Sequence, residues 1–244
     1  MIMKFLHLIA AACFAFSASA AEEILFQSDF KNNRDLKTWF DVGNGYIKGV
    51  PQTKPTKPLR YGKVVESSGE FILQAGANSM GISHPLLKPV LVNDDLKSIT
   101  LKIVFRQNPK SVSGISEFAL TSRKQPAATN GSPFWKGRDS GVSMRGYSYS
   151  AQAPNFIYFR KEGSDSKKFR STAPYNMFPR SVLKSWTTVV ITYDHEKKQL
   201  SYSCDGVAPL VYHNVDLKGV ELNSCFVSYN NNEYKSIEVF CIKK

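Results

Sequence analysis

Residues 98–106 read SITLKIVFR, and their apolar side chains fall on every second position: Ile99, Leu101, Ile103 and Phe105 on one face, Thr100, Lys102 and Arg106 on the other. A period of two is the pattern of a strand buried on one side. Strand character returns across residues 185–207, SWTTVVITYDHEKKQLSYSCDGV. Trp186 to Tyr193 is dominated by Val, Ile, Thr and aromatic residues, and Asp194 to Lys198 is a polar turn. Leu200, Tyr202 and Cys204 then alternate with Ser201, Ser203 and Asp205. Asp205-Gly206 is a two-residue hairpin signal, expected as a type I′ turn with positive φ at both positions. VAPLVYHNV follows as a third strand whose Pro209 marks an edge or a bulge.

Further strand-like runs are ILFQSDF (24–30), YGKVVE (61–66), EFILQA (70–75), SEFALTS (116–122), GVSMRGYSY (141–149), NFIYFRK (155–161), SCFVSY and SIEVFCIK. No long segment carries helical apolar spacing, and only short helical turns are expected, near RSVLKSW. Irregular pieces rich in Pro, Gly, Ser and Lys lie at 50–60, 107–113, 123–139 and 162–180. The chain is expected to be all-β.

The first twenty residues have Lys4, then an apolar run, then Ala18-Ser19-Ala20, the small-x-small form of a signal peptidase site. This predicts a signal peptide over 1–20, cleavage near Ala20, and a secreted or periplasmic protein. A second reading stays open, in which Cys13 is a lipidated cysteine after Ala10-Ala11-Ala12. Its apolar run would be about half the usual ~7–15 residues. No later stretch approaches the ~18 apolar residues of a membrane helix. Residues 21–244 suit one large sandwich or barrel better than two small domains.

The chain carries 32 Lys and Arg against 20 Asp and Glu, and losing Lys4 with the leader takes the formal charge from +12 to +11. Such a balance favours anionic partners: acidic polysaccharide, cell-surface polymer or nucleic acid. Export and the lack of any RNA-binding motif argue against nucleic acid. Beyond Cys13 the cysteines are Cys204, Cys225 and Cys241. Cys225 and Cys241 flank the turn-like YNNNEYKS and are placed to form a disulfide across the last strand pair. Three buried thiols is the alternative.

The meander from Trp186 to Cys204-Asp205-Gly206 resembles the late hairpin of the concanavalin A-like lectin/glucanase superfamily, laminin-G-like domains included. FQSDF with Leu36 and Trp39 is similar to that family's opening strand, and SIEVFCIK to its closing one. The resemblance implies a two-sheet antiparallel jelly-roll sandwich across nearly the whole mature chain. A narrower likeness joins GRDSGVSMRG (137–146) to the Asn-Ser-Gly-Ile-x-x-Arg-Gly strand of 3-keto-disaccharide hydrolase-like jelly rolls, with Asp139 in place of Asn.

The glucanase branch needs a Glu-x-Asp-x-x-Glu strand to set acid and nucleophile ~5–5.5 Å apart. No such pattern occurs; Glu117 is a lone strand acid, expected to be solvated and outward. YFRKEG (158–163) resembles the Tyr-x-Lys-x-Gly run of alginate-lyase-type jelly rolls, but their Gln-x-His and Arg-x-Glu partners are missing, so no catalytic role carries over. His84, His195 and His213 are scattered and read as exposed or structural. No metal-ligand spacing or cofactor motif is present.

Binding has the stronger case. Arg145, Tyr147 and Tyr149 alternate on one strand and Tyr158 and Arg160 on the next, with Trp135 in the loop before them. Aromatic faces stack on sugar rings, and Arg forks pair with carboxylate or sulfate. The competing expectation is amphipathic packing with solvated arginines. The chain is thus expected to be a lectin-like module for an anionic glycan. A hydrolase or lyase of the same fold and a structural or adhesion protein remain as alternatives.

Overall fold

The computed structural model describes residues 22–32, 36, 38–42, 62–76, 81–107, 115–123, 139–147, 156–161, 167–170, 184–228 and 231–244; residues 41–42, 115, 145–147, 156–158 and 167–170 are described through their backbone. The expected leader (1–20) and Cys13, together with Trp135, Tyr149 and most of RSVLKSW, lie outside the described residues.

The described residues form fifteen strands and no helix: β1 (Glu22–Ser28), β2 (Phe40–Val42), β3 (Gly62–Ser67), β4 (Glu70–Ala75), β5 (Gly81–Leu91), β6 (Leu96–Gln107), β7 (Ile115–Thr121), β8 (Gly141–Tyr147), β9 (Phe156–Arg160), β10 (Lys167–Arg170), β11 (Thr187–Asp194), β12 (Gln199–Cys204), β13 (Val207–Tyr212), β14 (Glu221–Ser228) and β15 (Asn232–Lys243). One antiparallel sheet runs β13-β12-β11-β6-β15-β4-β3, with β1 also on β15. The other runs β10-β9-β8-β7-β14-β5-β2. The two sheets make a jelly-roll sandwich.

Period-two alternation builds the core. Ile99, Leu101, Ile103 and Phe105 of β6 are fully buried and face Phe118, Leu120, Val142 and Met144 of the opposite sheet. Phe105 and Phe118 meet edge to face, centroids 4.9 Å apart, joining the layers at their middle. Burying each such side chain stabilises the fold by about 1.5–3 kcal/mol. The register of β11 on β6 pairs Val189 with Ile103 and Ile191 with Leu101, so a slip of one residue would turn these side chains outward.

Three strands were not expected from sequence: β2, β5 and β10. β5 contains Pro85 and Pro89, which cannot donate to a ladder. It tolerates them because β2 pairs only with residues 81–83, leaving the rest of that side without a partner strand among the described residues. β13, with Pro209, is the edge of its own sheet, and its pairing with β12 slips between Tyr202 and Cys204.

Two expectations need correction. In the Asp205-Gly206 turn only Gly206 has positive φ, 73°, so the turn is not type I′; the Asp205 carboxylate accepts a hydrogen bond from Thr188 N–H at 2.6 Å instead. Cys225 and Cys241 form no disulfide, and with Cys204 they are free buried thiols. β14 and β15 follow each other in sequence but enter different sheets, so Cys225 packs on β7 and β5 while Cys241 packs beside β1 and β6.

Candidate functional site

Val142 and Met144 on β8 and Phe159 on β9 belong to the core. The alternate positions therefore lie on the outer side of the seven-stranded sheet: Gly141, Ser143, Arg145 and Tyr147 on β8, and Phe156, Tyr158 and Arg160 on β9. Cα pairing sets Gly141 opposite Arg160, Ser143 opposite Tyr158 and Arg145 opposite Phe156. Positions Arg145, Tyr147, Tyr158 and Arg160 thus fall along one strip of two paired strands, about 20 Å long at the usual rise per residue. β10, in a stretch whose Gly-, Ser- and Lys-rich composition predicts an irregular segment, extends the strip: Lys168 pairs with Tyr158 and Arg170 with Phe156.

The centre of this outer face is covered. Phe226 is 2% exposed and Glu117 3%, and Ser143 and Thr121 are equally buried. Glu117 is therefore not the solvated acid expected from sequence. It sits opposite Arg145 in the β7–β8 register, and its Oε1 accepts a hydrogen bond from Ser143 Oγ at 3.3 Å. Thr121 and Ser224 share a hydroxyl hydrogen bond of 3.1 Å on the same face. Arg160, nearer the β9–β10 margin, stays partly exposed.

The β7–β8 ladder continues past its last strand residues. Ser122 N–H donates to Ser140 O at 2.9 Å, and Ser140 N–H donates to Ser122 Oγ at 2.9 Å. The next pair on this ladder is Arg123 and Asp139, whose Nη2 and Oδ2 lie 2.5 Å apart, both side chains nearly buried. By alternation Arg123 and Asp139 belong to the outer face with Thr121, Gly141 and Arg160. Gly141 between them has φ 128°, and a β-carbon there would stand 2.1 Å from Leu120 O; only glycine keeps the ladder intact. Among the described residues, buried Arg123 Nη1, Arg160 Nε and Arg160 Nη1 have no hydrogen-bond partner. At the same end a cavity of about 620 Å³ opens, lined in part by Ser122, Ser140, Lys161 and Asn223, the chain neighbours of that corner and the start of β14. Asn223 Nδ2 donates to Ser122 O at 3.0 Å and closes one wall.

No model of a known protein family matches the sequence, and no curated protein is similar to it. Solved structures do match. The carbohydrate recognition domain of Emp46p, in its potassium-bound form, is 15% identical over 85% of this chain and 90% of its own, with a TM-score of 0.51. Two sheets in this order on one core, superposable at that score, decide the fold. It is the concanavalin A-like lectin fold. Peanut lectin with a nine-residue peptide is 15% identical over 84% of this chain and 97% of its own, with a TM-score of 0.48.

Within this concanavalin A-like sandwich the strip on β8, β9 and β10 lies toward one margin of the seven-stranded sheet. The described histidines are elsewhere. His84 packs on Phe26, centroids 4.2 Å apart, and donates from Nδ1 to Pro85 O at 2.6 Å; its bare Nε2 accepts from Thr38 Oγ1 at 2.7 Å. Burial pulls its pKa down to about 4, against the raising effect of the Pro85 carbonyl, so it is neutral and structural. His195 is buried beside Tyr193 OH at 3.3 Å, while His213 is exposed and bonded to Gln199. Among the described residues no three His, Cys, Asp or Glu side chains gather as a metal set.

Sequence reasoning named Arg160 but missed Arg123, and it met Asp139 only as a departure from a motif. Both flank a long Pro- and Gly-containing segment, and nothing in their spacing says that β7 and β8 pair across it.

Proposed function

We propose that the chain is an exported, single-domain, lectin-like protein that binds an anionic polysaccharide on the outer face of β8 and β9. The observation that carries this reading is the register of those strands, which collects positions Arg145, Tyr147, Tyr158 and Arg160 on one strip. The cationic positions Lys168 and Arg170 lie beside it. Trp135 and Tyr149 belong to the same proposed site by sequence. The excess of 32 basic over 20 acidic residues suits an acidic ligand, and Lys4 with Ala18-Ser19-Ala20 supports export. The fold is shared with a carbohydrate recognition domain, which makes sugar the favoured ligand class.

Affinity electrophoresis against a panel of neutral and acidic polysaccharides tests the reading. Retardation by uronate or sulfated polymers, weakening as salt rises, is the expected result. No retardation by any polymer overturns it. The same incubations scored for new reducing ends and for unsaturated uronate absorbance test the hydrolase and lyase alternatives.

A further inference from the structure

We propose that Arg123, Asp139 and Arg160 form a recognition site for a single acid group, a carboxylate or a sulfate ester. This inference rests on the carbohydrate reading for the molecule that carries the acid. Arg123 is 8% exposed and gives one nitrogen to Asp139, leaving Nη1 buried and without a partner among the described residues; Arg160 leaves Nε and Nη1 in the same state. A buried donor without an acceptor is costly, and more so when it carries charge. Two guanidiniums holding three such nitrogens on one corner of a sheet are short of an acceptor, and an oxyanion supplies several at once.

The backbone sets the pieces within reach. Arg160 pairs with Gly141, and Asp139 precedes Gly141 by two residues on the continuation of the β7–β8 ladder, a diagonal neighbour at roughly 7–8 Å. Gly141 has no side chain to separate Arg160 from the β7 side, and the 2.1 Å approach of any β-carbon to Leu120 O keeps that position bare. Asp139 neutralises one of the two guanidiniums and orients Arg123. One positive charge is left over, which matches one carboxylate or one sulfate ester.

Differential scanning fluorimetry at fixed ionic strength tests the site with galacturonate, galactose 6-sulfate and galactose. The acid sugars are expected to raise the melting temperature by roughly 3–6 °C at ten times Kd, and galactose is not. Which acid gives the larger shift at equal concentration names the source. The shift is expected to vanish in Arg160→Gln, whose melting temperature without sugar stays at or above that of the unsubstituted protein because a partly buried, unpartnered charge is removed. Should that variant fail to fold, Arg160→Lys keeps the charge, loses the planar donors, and is expected to lose most of the shift. No advantage of acid over neutral sugar, or a shift that survives both substitutions, overturns the site. If neutral polysaccharides are retarded while acid sugars do nothing, the site fails and the lectin reading stands. An Arg160-dependent shift with no polysaccharide retarded leaves the site standing and removes the polymer.

Discussion

Arg123 Nη2 meets Asp139 Oδ2 at 2.5 Å across the extension of the β7–β8 ladder, with little of either side chain reaching solvent. Removing one partner of such a pair leaves a buried charge uncompensated. Asp139→Ala is expected to lower stability by about 3–5 kcal/mol. Urea denaturation measures it, and a loss below about 1 kcal/mol would mean the pair is solvated.

Gly141 and Gly206 both hold positive φ, 128° and 73°, but in different surroundings. A β-carbon at Gly141 runs into Leu120 O, whereas at Gly206 it meets nothing within 4 Å. Gly206→Ala is expected to cost about 1 kcal/mol and Gly141→Ala several times that, through backbone strain and a broken ladder. Thermal melts of the two variants should rank in that order.

His84 gives the fold an acid sensitivity. Its pKa is about 4 when folded, lowered by burial, against about 6.5 when unfolded. Below pH 6.5 the unfolded chain takes up a proton that the folded chain refuses. Stability therefore falls as pH drops from 6.5 to 4 and this contribution levels off below, a loss of about 3 kcal/mol. Urea midpoints across that range measure it. In His84→Gln the same range should show a flatter profile.

The three cysteines among the described residues, Cys204, Cys225 and Cys241, should all be found as thiols. Burial pushes the Cys225 thiol up to about 12 and also raises those of Cys204 and Cys241. In the native protein they are expected to react with Ellman's reagent far more slowly than a free thiol, and after denaturation without reductant all three should titrate. Two missing thiols would signal a bridge.

Residues that alternate cleanly were legible in the sequence. Ile99 to Phe105 and the β11–β12 hairpin announce their strands because one face is buried along their whole length. β5 was not legible, because Pro85 and Pro89 argue against a strand unless its edge position is known. Nor was β10, four residues of mostly charge that become a strand only by pairing with β9. Sheet membership was equally hidden. Cys225 and Cys241 look like partners along the chain, and only the passage of β14 and β15 into different layers separates them. The site divides the same way. Alternation picks out Arg145, Tyr147, Tyr158 and Arg160, while Arg123 and Asp139 meet through a register that no local pattern encodes.

The central claim is that an acidic carbohydrate is held on the β8–β9 face. Calorimetric titration of the acidic polysaccharide most strongly retarded on the panel, into the unsubstituted protein, Arg145→Ala and Lys63→Ala, tests it most directly. Both variants lose one positive charge, but Lys63 is an exposed residue of β3 in the other sheet. Loss of a charge-assisted contact is expected to weaken binding by about tenfold or more in Arg145→Ala, and Lys63→Ala is expected to bind as the unsubstituted protein does. Equal affinity in the two variants would contradict a site on that face.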